Sequence, residues 1–110
     1  MQISARQSEG RVILDVTGDI DLAHSPAMRK MLLVEIKEKR TPKVYLNLKN
    51  VRYIDSSGIA SLVEGLKASR DHGSRLILYG MNRSVREVME LSRLQKIFEI
   101  YESEDQALSS

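Results

Sequence analysis

The chain has 110 residues, 42% of them apolar, which is the size of one ordinary domain and enough for a single hydrophobic core. Its 17 basic and 15 acidic side chains leave a net charge of +2 and are scattered along the whole length, so no basic stripe of the kind that nucleic-acid binding uses is visible. Cysteine is absent, which excludes disulfides, thiolate metal sites and cysteine nucleophiles and points to an intracellular protein. The first residues, "MQISARQSEG", lack the basic-then-apolar pattern of a secretory signal, and no apolar run reaches the length of a membrane-spanning helix. The expectation is a single soluble, cytoplasmic domain over residues 1–110 with no cofactor, no direct nucleic-acid contact and no membrane contact.

In chain order, residues 2–6 and "RVILDVT" at 11–17 read as a hairpin turning at Glu9 and Gly10, stopped by Gly18 and Asp19. "SPAMRKMLLVEIKEKR" reads as a helix with Ser25 at the N-cap and Pro26 at the first helical position, where a missing N–H costs nothing. Its Met28, Met31, Leu32 and Ile36 fall at helical spacing, and Lys37, Lys39 and Arg40 gather where the helix dipole favours cations. After Pro42, "KVYLNLKN" sets Val44, Leu46 and Leu48 against Tyr45 and Asn47, a strand with one face more buried than the other.

Next comes "YIDSSGIAS", read as a loop from the strand at 44–48 to a helix beginning near residue 57. That helix carries Ile59, Leu62, Val63 and Leu66 on one face and is closed by Gly73. "RLILYG" at 75–80 is a short strand, "RSVREVMELSRL" a third amphipathic helix and "KIFEIY" at 96–101 a last strand; "SEDQALSS" forms a short helix or frays. The order β-β-α-β-α-β-α-β, with a short final α, predicts an α/β domain with a mixed, mainly parallel sheet of four or five strands and helices packed against it.

In such sheets function gathers beyond the carboxyl ends of the strands, where "YIDSSGIAS" lies. Ser56 or Ser57 is expected at or beside the N-cap, where free N–H groups and the positive end of the dipole meet. A phosphate there adds about −1.5 to −2 charges and three acceptor oxygens beside Asp55, and would repel an acidic partner while sparing the fold. The alternative from the residues alone is a plain helix cap.

"YIDSSGIA" resembles the phosphorylation motif of bacterial anti-sigma factor antagonists, single-domain members of the STAS group. "VTGDIDLAHSPAMRKML" resembles that family's Gly-acid-aliphatic-Asp loop and first helix, and "KVYLNLKNVRYID" its central strand. The resemblance spans essentially the whole chain. It implies a partner-switching protein that binds an anti-sigma factor with ATP-dependent serine kinase activity of the GHKL type, freeing the sigma factor. It further implies that this partner phosphorylates Ser56 and is then released, and that a PP2C-type serine phosphatase restores the binding form. Ser57 then serves capping or support, and Asp21, Asp55, Ser56, Ser57 and Gly58 form the partner-binding set. Two departures are Asp19, where the family more often has Glu, and Ala60, where many members have Gly.

Each residue also has a plainer reading. Asp55 either positions Ser56 or contacts the partner, or it bonds to its own turn; Gly58 allows close approach of backbone or has a packing role; Asp21 is a partner contact or a solvated turn residue. His24 and His72 read as surface residues without ligand spacing, and the methionines at 28, 31, 81 and 89 as packing. Rival functions are an enzyme with a nucleophilic serine, for which no histidine is placed to act as base, and a STAS subunit of a membrane transport or other signalling complex. Nucleotide binding finds no glycine-rich phosphate loop followed by Lys.

Overall fold

The strands lie side by side in the order in which the chain makes them, and that order decides which face of the sheet the helices cover. In the computed structural model, which describes residues 1–110, β1 (Gln2–Ser8) runs antiparallel to β2 (Arg11–Ile20). β3 (Lys43–Ile54), β4 (Arg75–Tyr79) and β5 (Glu99–Tyr101) follow in sequence, each parallel to its neighbour. Every parallel crossover steps one strand the same way, so right-handed connections put all three crossover helices on one side. These are α1 (Ser25–Leu33), α2 (Ser56–Asp71) and α3 (Arg83–Leu91).

Their apolar stripes meet the even-numbered residues of the strands. Met28, Leu32, Ile59, Leu62, Leu66, Val85 and Met89 join Val12, Leu14, Val44, Leu46, Leu76 and Leu78 in one core of 22 buried residues. The opposite face carries only α4 (Glu104–Leu108), whose Ala107 seals a second, five-residue core with Ile13, Tyr45, Ile77 and Tyr79. Tyr45 is therefore fully buried although the alternation in β3 puts it on the less buried face.

Several boundaries differ from the sequence reading. α1 starts at Ser25, which is buried and caps nothing with its side chain; the amides of His24 and Ser25 are instead held by the Asp21 carbonyl at 3.1 and 2.8 Å. The helix also widens into a π-helical turn at Val34–Glu38, closed by Lys39 N donating to the Val34 carbonyl at 2.9 Å. The last strand is only three residues long, because Ile97 N turns back to the Leu94 carbonyl and Phe98 turns into the main core.

The largest difference concerns β3, which runs through Ile54 rather than ending near residue 48. Two register shifts against β2 explain why the alternation stops being readable. Asp15 faces Asn47 but Thr17 faces Asn50, and Gly18 faces Val51 but Asp19 faces Tyr53, so β3 holds an extra residue at each step. Gly18, at φ +103°, sits between the shifts with the Met1 Cα only 3.2 Å from where a Cβ would stand.

Candidate functional site

β4 ends at Tyr79 opposite Asn47, while β2 and β3 continue as a two-stranded arm beyond it. The free edge of that arm is held by Asn82, whose side-chain amide donates to the carbonyls of Val51 and Arg52 at 3.0 and 3.3 Å. The Asn82 Oδ1 accepts from Val85 N at 2.8 Å and so caps α3 as well. The arm ends in a single non-strand residue, Asp55, and α2 begins at once with Ser56.

Asp55 is the N-cap, in place of either serine. With its backbone extended, its Oδ1 accepts from Ser57 N and Gly58 N, both at 3.0 Å, and from the Ser57 hydroxyl at 2.5 Å. Its Oδ2 accepts from Leu22 N at 3.1 Å, which ties the β2–α1 loop to the start of α2. The Ser57 hydroxyl first, then the amides of Gly58, Leu22 and Ser57, hold the Asp55 carboxyl below the usual carboxylate range against the opposing effect of burial. The orphan N–H groups of the helix start are thus already occupied by an internal anion.

The five residues singled out in the sequence fall together around this cap. Ser56, at the first helical position, is exposed and takes no part in it. Ser57 is half-buried, and its carbonyl accepts from the Ser61 hydroxyl at 3.1 Å. Gly58 is buried against the end of β2: a Cβ there would stand 2.6 Å from the Ile20 carbonyl oxygen and 2.6 Å from Ile54 Cγ1. Asp21 is half-buried, with Oδ1 accepting from His24 N at 3.1 Å and lying 2.7 Å from His24 Nδ1. His24 is therefore engaged at the site. His72, at the far end of α2, puts Nδ1 3.0 Å from the Ala68 carbonyl.

Sequence reading missed two exposed apolar side chains near Ser56, Leu22 in the β2–α1 loop at 75% exposure and Tyr53 near the end of β3 at 49%. Nothing in the local pattern marks them, because the register shifts that turn Tyr53 outward are themselves not visible in it. It also missed the fork from Arg52 to Asp19, with Nε and Nη2 at 3.3 and 3.2 Å from the two carboxylate oxygens. The arrangement offers one unengaged serine hydroxyl on a rigid helix start, ringed by carboxylates that already have partners and by two exposed apolar groups. No metal-ligating cluster accompanies it, and no helix is long and apolar enough to cross a membrane.

A five-stranded sheet with three crossover helices on one face, a short helix on the other and a carboxylate-capped helix at the end of its central strand describes a small α/β domain of one recurrent design. The family model of the STAS domain matches residues 2–107, and the chain belongs to that family. An anti-sigma F factor antagonist of Paenibacillus polymyxa is 28% identical over 109 residues, covering 99% of this chain and 93% of its own. The crystal structure of a candidate anti-sigma factor antagonist from Thermotoga maritima superposes with a TM-score of 0.90 at 25% identity, over 97% of this chain and 92% of that one. The Bacillus cell-fate determinant SpoIIAA in its phosphorylated form shares the fold at a TM-score of 0.75 and 17% identity, over 98% of this chain and 97% of its own.

Proposed function

We propose that this chain is an anti-sigma factor antagonist that works by partner switching. Unmodified, it binds an anti-sigma factor that is also an ATP-dependent serine kinase of the GHKL type, and so frees a sigma factor. The kinase transfers phosphate to Ser56, binding ends, and a PP2C-type phosphatase resets the chain, which is thus a substrate of its partners and has no catalytic group of its own.

The observation that carries this reading is the division of labour between the adjacent serines. Ser57 is tied to Asp55 at 2.5 Å, whereas Ser56 is exposed and outside the cap. A phosphate on Ser56 finds the amides of Ser57 and Gly58 already taken by Asp55, so it points to solvent and adds about −1.5 to −2 charges to a surface that holds Asp19, Asp21 and Asp55. Asp21 and Leu22 on the β2–α1 loop and Tyr53 near the end of β3 supply the surrounding contact surface. The names of the relatives support the choice of partner.

The test is to capture partners with the unmodified chain from its own cell, identify any kinase held, add ATP, and map the phosphate by mass spectrometry. The expected result is a bound kinase and one phosphate, on Ser56. Phosphate on Ser57, or retention of a membrane transporter in place of a kinase, overturns the reading.

A further inference from the structure

The far end of the sheet, where the parallel strands begin, gathers charges that are remote in sequence. Register places Arg11 opposite Lys43 and Lys43 opposite Arg75, so three cations stand abreast on adjacent strands, about 4.8 Å apart from strand to strand. They share the face of Ile13, Tyr45 and Ile77, each two residues further along its strand. Like charges in register across strands oppose folding unless something neutralises them.

Arg11 also lines a cleft of about 280 Å³ between the β1–β2 turn and residues 39–42, together with Lys39, Arg40, Gln7 and Ser8. Of the five cations gathered here, Lys39 is paired with the buried Glu35 at 3.0 Å and Arg75 with Glu99. Glu35 also accepts from the Thr41 hydroxyl and Glu99 from the Tyr101 hydroxyl, both at 3.0 Å, and Glu99 feels the charge of Lys43 at longer range. Arg11, Arg40 and Lys43 have no carboxylate at ion-pairing distance, and Arg11 lies over the Tyr45 ring, 6.0 Å from its centroid. The Tyr45 hydroxyl is completely buried and has no hydrogen-bond partner, a donor of the kind that buried polar groups rarely leave unused.

We infer that this end of the sheet is a second binding site, for a phosphate-bearing anion held by Arg11 and Arg40 across the cleft, with Lys43 beside Arg11 on the next strand. Three unpaired cations, two of them guanidinium forks, match the acceptor geometry of phosphate oxygens, and Gln7 and Ser8 add neutral donors at the rim. The site lies at the opposite end of β3 from Ser56, so its occupant and a partner at the switch do not compete for surface. The inference is independent of the function proposed above. The phosphate comes either from a soluble metabolite or from a lipid headgroup, which share the recognising chemistry.

The experiment titrates the isotopically labelled full chain with pyrophosphate at constant ionic strength set by chloride, following backbone amide and arginine Nε resonances. In parallel, phosphatidylcholine vesicles with and without phosphatidylglycerol are sedimented with the protein. The expected result is saturable shifts at Arg11, residues 39–43 and Arg75, with Ser56 and its neighbours unmoved, and affinity reduced by roughly tenfold or more in Arg11→Gln and in Lys43→Gln, as the loss of one charge-assisted hydrogen bond implies. Sedimentation only with phosphatidylglycerol, lost in both variants, assigns the phosphate to a headgroup; saturable pyrophosphate shifts without sedimentation assign it to a soluble ligand. Linear shifts that chloride reproduces, binding unchanged in two variants whose circular dichroism is native, or no response to either probe overturns the site.

Discussion

The parallel strands of this sheet begin among cations and end among carboxylates, and the two ends handle their charge in opposite ways. At the finishing end the three acids around Ser56 have internal donors: Asp19 takes the Arg52 fork, Asp21 the His24 amide, and Asp55 three backbone amides and a hydroxyl. What remains unengaged there is a neutral hydroxyl, on Ser56. At the starting end the carboxylates pair directly with Lys39 and Arg75, and Arg11, Arg40 and Lys43 remain outside any direct ion pair. An end with balanced charge and a spare nucleophilic oxygen suits the addition of charge; an end with surplus charge suits the arrival of a counter-ion.

The strongest challenge to this contrast is Gly58→Ala. The added Cβ has backbone on one side, at the Ile20 carbonyl, and the Ile54 side chain on the other, so α2 must shift and stability falls by about 3 kcal/mol in urea unfolding. If the ends are independent, the Arg11 and Lys43 resonances of the folded variant stay in place. Ser56→Asp comes next. Like charges brought together across an interface cost several kcal/mol, so capture of the kinase partner weakens by roughly 100-fold while Ser56→Ala keeps wild-type binding. An Asp variant that binds as tightly as wild type removes the electrostatic basis of the proposed switch.

Asp55→Ala removes the cap and lowers stability by about 1 kcal/mol. Asp55→Asn is milder, keeping an acceptor for Ser57 N and Gly58 N but presenting no second one to Leu22. Hydrogen exchange should then accelerate at Leu22 while the α2 amides stay protected; equal protection of Leu22 in both proteins breaks the proposed link between the loops. The smallest effect is on acid stability. Asp55, Asp15, Glu99 and Glu104 are all held below their ordinary values in the folded chain, so they bind protons less readily than in the unfolded one. The stability they contribute is complete above about pH 4–5, the ordinary carboxylate range, and is lost as pH falls through their lower folded values. Urea midpoints measured across that range should fall less steeply in Asp55→Ala.

Order and type of elements were legible because the three crossover helices show apolar stripes and some boundaries a Gly or Pro, as Gly73 does after α2 and Pro42 before β3. The cluster of Asp55, Ser56, Ser57 and Gly58 was legible because it is contiguous. Which of them caps was not, since Asp and Ser serve that place equally well in sequence and only the backbone angles at Asp55 decide between them. The length of β3 was hidden by two register shifts, and the burial of Tyr45 by a helix that follows it by some sixty residues. The charge pattern was the most misleading. Scattered in the sequence, Arg11, Lys43 and Arg75 become neighbours only through parallel pairing.

One consequence of the cap at Asp55 concerns what the domain itself contributes to a modification cycle. Because Asp55 does the work of starting α2, Ser56 makes no capping bond, and a group attached to its exposed hydroxyl breaks none of the contacts that hold the helix start. The level of a phosphate at Ser56, the proposed switch, is then set by the relative rates of the enzymes that add and remove it and by the partner in contact with it. The domain would then carry the proposed mark without giving up a bond of its own helix start.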